Sequence, residues 1–169
     1  MKPAPGPTIR SARPEDAPIL AAAEREIAKI PGRLASRPEE LKDESFFEKV
    51  EALSKLDTGL YVVIEVDGKV VGHALLEPHK LASTAHVVSL TIAIHEGAQG
   101  QGLGRKLMEY LIAWARGNQK IEKFELQVRS SNARAIKLYE SFGFVEEGRK
   151  TRRLKYAGGQ YLDDVYMAL

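Results

Sequence analysis

The sequence contains no cysteine. That absence excludes disulfides, thiolate zinc sites and a cysteine nucleophile, and with no sign of an oxidising compartment a cytoplasmic setting is expected. Long apolar runs are missing too. The opening Met1-Lys2-Pro3-Ala4-Pro5-Gly6-Pro7 lacks the apolar stretch of a signal peptide, no later run approaches bilayer-spanning length, and no membrane partner is expected. A dominant charge is absent as well. The 25 basic and 23 acidic residues are spread along the chain and give a formal net charge of +2, unlike the concentrated basic footprint of a nucleic-acid binder. Metal-ligand spacing is not found either: His73, His79, His86 and His95 fall on different elements with no i, i+4 pair. They read as surface or structural histidines, and no metal is expected.

What remains is a chain of 169 residues, 44% hydrophobic and 28% charged, which fits one compact domain with a substantial core. The expected division is a flexible lead-in over residues 1–7 and a single domain over residues 8–169. Thr8-Ile9-Arg10 reads as a short strand, and Arg13-Pro14-Glu15-Asp16 opens a helix continuing to Lys29, with proline and acids in its first turn. Ser36-Arg37-Pro38-Glu39-Glu40 looks like a second capped start, followed by Phe46, Phe47, Val50, Leu53 and Leu56 at helical spacing. Two β-rich runs, Leu60–Val66 and Lys69–Leu76, flank Asp67-Gly68, a strong hairpin signal. Residues 85–94 are β-branched and apolar, as in a buried central strand. Leu103, Leu107, Leu111 and Trp114 mark one face of a longer helix. A strand over residues 123–128, a helix capped at Ser131-Asn132 and closed by Gly143, and strands near residues 144–155 and 161–168 complete the order. Together these predict a mixed, three-layer α+β fold: a central, mostly antiparallel, twisted sheet of about six to seven strands flanked by about four helices.

Residues 97–106 read Gly-Ala-Gln-Gly-Gln-Gly-Leu-Gly-Arg-Lys. Glycines at 100, 102 and 104 let the backbone approach a ligand without β-carbons in the way, and a helix starting near Leu103 adds the positive end of its dipole. Arg105 and Lys106 add formal charge. The anion is not a nucleotide phosphate on spacing grounds. Neither register supplies the Gly-x-x-x-x-Gly-Lys-Ser/Thr of a P-loop, and Gly-x-Gly-x-x-Gly would require glycine at Arg105. Gln99-x-x-Gly102-x-Gly104, after a buried strand and opening an amphipathic helix, instead resembles the pyrophosphate motif of the GCN5-related N-acetyltransferase superfamily. A second stretch, Glu125 to Phe144, resembles that superfamily's next cofactor motif: a strand, then Asn132-x-x-Ala135-x-x-Leu138-Tyr139, then Gly143-Phe144. The resemblance runs roughly from Val70 to Leu169 and is similar to small bacterial members acting on amino-acid-like amines or on protein N-termini.

The resemblance implies acetyl-CoA as co-substrate, and transfer of its acetyl group to a primary amine of a small molecule, an amino acid or a protein N-terminus by direct attack. Ile92, Ala93 and Ile94 would offer backbone groups to pantetheine and the thioester. Gln99, Gly100, Gln101, Gly102, Leu103, Gly104 and Arg105 would hold the pyrophosphate. Asn132 would bond the pantetheine arm, and Tyr139 would stand near the sulfur as cofactor ligand and general acid. The chain departs from the pattern at the base. Gln127 stands where the ribosomal-protein alanine acetyltransferases carry glutamate, and an amide cannot take a proton. Strand parity puts Glu125 on the same face, roughly 6 to 7 Å away, and makes it the candidate base, with water-relayed deprotonation and binding of an already neutral amine as equal alternatives. Ser89 and Thr91 on the central strand are poor bases. The departure leaves a second reading open, a non-catalytic acyl-CoA-binding or sensing domain. Exposed final strands suggest pairing into a homodimer.

Overall fold

The computed structural model describes residues 6–169, so most of the expected lead-in lies outside the described residues. Strand β1, Thr8–Ser11, leads through a 3₁₀ turn at Pro14–Asp16 into helix α1, Ala17–Ala28. Asp16 starts that helix by accepting the Arg13 amide at 2.7 Å, and Arg10 clamps Asp16 and Glu65 at 2.8 Å each, tying strand to helix. Helix α2, Asp43–Ser54, begins later than the sequence suggests. Pro38–Glu40 forms only one 3₁₀ turn, held by Glu40 on the Arg37 amide, and Leu41 then returns to an extended conformation.

Strands β2, Leu60–Val66, and β3, Lys69–Pro78, form the expected hairpin, with Asp67 and Gly68 at φ of 50° and 74°. Both central residues at positive φ match the twist of the flanking strands. Strand β4, Val87–Ile94, is followed by helix α3, Leu103–Arg116, strand β5, Lys123–Arg129, and helix α4, Ala133–Ser141. Strands β6, Val145–Lys155, and β7, Tyr161–Ala168, close the chain. The sheet has seven strands in the order β1-β2-β3-β4-β5-β7-β6, antiparallel throughout except for β4 beside β5. Among the described residues no helix is long and apolar enough to cross a membrane.

Alternation along the strands divides the interior in two. On one face Val62, Ile64, Ala74, Leu76, Val88, Leu90, Leu126, Val128 and Val165 meet Leu103, Leu107, Met108, Leu111 and Ile112 of α3, with Tyr139 of α4. On the other, Tyr61, Val63 and Leu75 pack against Leu20 and Ala21 of α1 and Phe46, Val50 and Leu53 of α2. That second helical layer covers the β2–β3 end of the sheet and leaves the same face of β4, β5 and β7 open. Strand β6, with two register shifts, is the exposed edge that carries the basic run Arg149–Lys155.

Leu111 is fully buried at the centre of the α3 layer. Leu111→Ala should therefore cost about 2–5 kcal/mol through lost burial and the remaining cavity. Urea unfolding should show a lower midpoint at unchanged slope, and an unaltered midpoint would place Leu111 outside the core.

Candidate active site

Parallel pairing between β4 and β5 is short. Val87, Val88 and Ser89 match Lys123, Phe124 and Glu125, and beyond that rung the strands share no further register. Strand β4 stays on β3 as far as Ile94, opposite Gly72, while β5 continues with β7 to Arg129, opposite Asp164. The two central strands thus part toward their C-terminal ends. Along the gap the β5-facing backbone groups of Ile92 and Ile94 have no strand partner, whereas those of Ala93 turn the other way to His73 on β3, and buried groups of the unpaired kind need a partner. On the open face Ser89 and Thr91 project from β4, Glu125 and Gln127 from β5, and Tyr166 from β7 opposite Gln127.

The glycine turn lies at the mouth of this gap. Gly97, Gly100 and Gly102 take φ of 83°, 84° and 73°. A β-carbon at Gly97 or Gly102 would meet only open space, so backbone conformation rather than crowding calls for glycine there. Gly102 caps α3 without any side-chain bond, and no acid sits in the first turn, leaving the helix's first amides free to donate. Gln99 pins the turn: its Oε1 accepts from Gly97 N at 3.1 Å, and its Nε2 donates to Ile94 O at 3.3 Å and Glu96 Oε2 at 3.2 Å. Gln101 is exposed beside it, and Leu103 is buried beneath.

Helix α4 docks against this turn. A β-carbon on Gly104 would stand 3.3 Å from Leu138, so the glycine permits close approach of the two helices. Arg105 donates to Ser141 Oγ at 3.0 Å and lies over the Phe142 ring at 5.0 Å, which turns its guanidinium toward α4. The Arg134 guanidinium comes within 3.8 Å of the β-carbon position of Gly100, adding a cation to the turn from the other motif. Free helix amides, open glycines and Arg134 fit a pyrophosphate. Asn132 is the N-cap of α4, accepting from Ala135 N at 3.4 Å, and Tyr139 is buried against Phe144 at 5.9 Å between ring centres. Burial pushes the Tyr139 hydroxyl up to about 12, with the nearby Arg129 charge pulling the other way.

At the last shared rung the open face holds a cluster the sequence did not reveal. His79 Nε2 lies 3.0 Å from Ser89 Oγ and 3.7 Å from Glu125 Oε2. Lys123 reaches Glu125 at 3.2 Å and Glu147 at 2.8 Å. The pairing of His79 with Ser89 depends on the β3–β4 register, which His79 extends past Pro78 by donating its amide to Val87 O at 3.1 Å. Sequence spacing carries no signal for it.

Two other histidines, read as scattered, are in contact. His73 Nδ1 is 3.0 Å from His95 Nε2, and His73 Nε2 is 2.8 Å from Glu24 Oε1. The carboxylate can only accept, so His73 Nε2 donates to Glu24, and a single proton lies between His73 Nδ1 and His95 Nε2, its donor set by the tautomer. Both rings are buried under α1, and Tyr61 stacks on His73 at 5.9 Å. Among the described residues no cluster of three or more His, Asp or Glu is arranged to hold a metal.

The α1–α2 loop packs beside the C-terminal end of β5 and the start of β7. Gly32 leaves room for Ser131 and Leu162, and Tyr156 donates its hydroxyl to Leu34 O at 2.9 Å. Beneath lies a buried ion pair, Arg129 to Asp164 at 2.7 Å. Its angles miss hydrogen-bond geometry, and among the described residues Arg129 Nε and Asp164 Oδ1 have no hydrogen-bond partner.

The model of the acetyltransferase (GNAT) family matches residues 25–144, well over half of the chain. An L-amino acid N-acetyltransferase from Escherichia coli is 33% identical over 105 residues, covering 61% of this chain and 63% of the relative, so that match spans less than two thirds of its length. An N-alpha-acetyltransferase from Sulfurisphaera tokodaii is 34% identical over 128 residues, covering 70% of this chain and 72% of the relative. A Salmonella typhimurium structure solved with its cofactor acetyl-CoA superposes with a TM-score of 0.86 at 24% identity, over 98% of this chain and 94% of that one, and shows the shared fold.

Burial, reinforced by His73, depresses the His95 imidazole from 6.5 to about 4, while a hydrogen bond to the Val70 backbone and the Glu24 charge act against the shift. An unfolded chain takes up this proton near pH 6.5, which the folded protein refuses until about pH 4. The contribution to stability is complete above pH 6.5 and is lost as pH falls toward 4, on the order of 3 kcal/mol. Urea midpoints measured across that interval should fall more steeply for the wild type than for His95→Gln. Parallel curves would mean that His95 is protonated as easily in the folded state.

Proposed function

The chain belongs to the acetyltransferase (GNAT) family, and from that premise we propose that it transfers the acetyl group of acetyl-CoA to a primary amine of a small molecule, an amino acid or a protein N-terminus by direct attack. The observation that carries the proposal is the parting of β4 and β5 beside an uncapped, glycine-led helix start. In this reading the amides of residues 102–105, with Arg134, hold the pyrophosphate. Gln99 shapes the turn from within. Backbone groups of Ile92 and Ile94, on either side of Ala93, which is bonded back to β3, receive the pantetheine arm and the thioester carbonyl, where preorganised donors stabilise developing negative charge. Asn132 reaches the same arm from the start of α4.

Tyr139 donates to the departing sulfur. A hydroxyl held near 12 keeps its proton throughout the neutral range, so it gives no limb to the rate profile below about pH 10. Glu125 faces the acceptor from β5, but Lys123 occupies one of its oxygens. Its role in this reading is to attract the cationic amine and to oppose positive charge on the open face. The acetyl thioester supplies the activated carbonyl, and the chain's residues orient it and handle the protons.

Gln127 is exposed on that face and holds no charge, which keeps the acyl-CoA-sensing alternative in view. Release of free CoA, measured against a panel of amino acids, polyamines, aminoglycosides and N-terminal peptides, separates the two. Turnover with at least one amine is expected. Stabilisation by acetyl-CoA with no thiol release from any acceptor would favour the sensor. Tyr139→Phe should lower turnover at least tenfold, and up to about 10²-fold, at nearly unchanged acetyl-CoA affinity. Equal turnover would remove Tyr139 from the chemistry.

A further inference from the structure

An alkylamine reaches an enzyme at neutral pH as its ammonium, which has no lone pair for attack. Some group must take a proton first. On the open face Gln127 cannot, and Glu125 is already engaged by Lys123. Thr91 is exposed and Ser89 half-buried, and an isolated hydroxyl is a poor base. Ser89, however, is not isolated.

Resting on the acetyltransferase reading, we propose that the acceptor amine is deprotonated through Ser89 to His79, with Glu125 beside the imidazolium that results. Three observations converge on this pair. Ser89 is the last residue of β4 matched to β5, so its side chain stands at the root of the gap where the strands part. His79 Nε2 lies 3.0 Å from Ser89 Oγ, a hydrogen bond through which a hydroxyl can give up its proton while accepting another. Glu125 Oε2, at 3.7 Å from the same nitrogen, is placed to oppose a charge that develops there.

The other imidazoles are less suited. His73 and His95 are sealed beneath α1 and bonded to each other, and His86 precedes the start of β4 on the exposed loop. His79 and Glu125 keep 30% and 37% of their side chains exposed, so the cluster can be reached and its proton can leave to solvent. Charged groups from several elements surround this corner of the sheet. Glu77 on β3 is paired with Lys49 of α2 at 3.1 Å, and Lys123 on β5 is shared by Glu125 and by Glu147 of β6. Of these carboxylates Glu125 approaches the ring, at 3.7 Å from Nε2.

The proton count closes. The ammonium N–H bond breaks toward Ser89 Oγ as the Ser89 proton moves to His79 Nε2, leaving a neutral amine and an imidazolium. The amine nitrogen then bonds the thioester carbonyl carbon, the C–S bond breaks as Tyr139 protonates the sulfur, the nitrogen's second proton passes to solvent, and solvent reprotonates the Tyr139 oxygen. His79 returns its proton to solvent. The products are the acetamide, the free thiol and one proton.

The test compares His79→Gln and Ser89→Ala with the wild type and with His86→Gln, using thiol release at several pH values and acetyl-CoA-dependent Tm as the folding check. Two acceptors are used: the best alkylamine of the panel, and O-methylhydroxylamine, which is largely neutral at pH 7. For the alkylamine His79→Gln should lose about 10²-fold in kcat/KM. Its acid-side dependence on pH should also disappear. With the neutral amine the loss should be several-fold at most. Added imidazole should partly restore His79→Ala, and His86→Gln should match the wild type. Ser89→Ala, which removes one hydroxyl and little volume, should reproduce the pattern even where a His79 variant folds poorly. Wild-type rates in both variants, or the same fractional loss with both amines, would overturn the relay and leave the acetyltransferase reading standing. No thiol release from the wild type with any amine would overturn that reading, and the relay with it.

Discussion

The feature on which the rest depends is the three-residue pairing of β4 with β5. A parallel pair joined by a helix normally continues its ladder, because backbone groups left unpaired in a dry interior cost roughly 1–3 kcal/mol each. Here the ladder stops at Ser89 and Glu125 while each strand is secured on its far side, β4 by β3 and β5 by β7. The apolar floor of Val88, Leu90, Leu126 and Val128 on α3 continues beneath both strands. The opening is therefore confined to one seam, and its polar backbone faces outward to whatever enters.

Two segments about thirty residues apart in sequence become a single wall of that seam. Gly104 admits Leu138, Arg105 spans to Ser141 and Phe142, and Arg134 returns to Gly100. These contacts couple the start of α3 to α4. The free amides of one helix and the polar residues of the other are thereby held at fixed separation, and a long, jointed co-substrate loses less freedom on binding such a surface than on ordering it.

The sequence foretold the frame better than the chemistry, for a physical reason. Helix faces, the Asp67-Gly68 turn and the glycine run are local patterns, and each recurs in the structure within a few residues of its expected place. The second helix was misplaced because Pro38 and two acids support a helical turn as well as a helix, and the extended Leu41 that separates them leaves no mark. His73 with His95, and His79 with Ser89, depend on which rung of β3 faces which rung of β4. Local patterns do not encode that register, because the length and path of the β3–β4 connection set it. Gln127 was legible as the loss of a base. The imidazole beside Ser89 was not.

The sheet itself separates the two proton-handling groups of the proposed reaction. Tyr139 lies in the α3–α4 layer, whereas Ser89, His79 and Glu125 stand on the opposite face. In an unbroken sheet these groups could not act on one atom, because roughly 10 Å separates packed layers. Where β4 and β5 part, a carbonyl carbon placed in the seam is open to the amine from one face while its sulfur leaves toward the other. Attack and departure on opposite sides keep the acid away from the amine it would otherwise protonate. The same gap that leaves backbone groups unpaired thus permits acid and base to coexist at one pH.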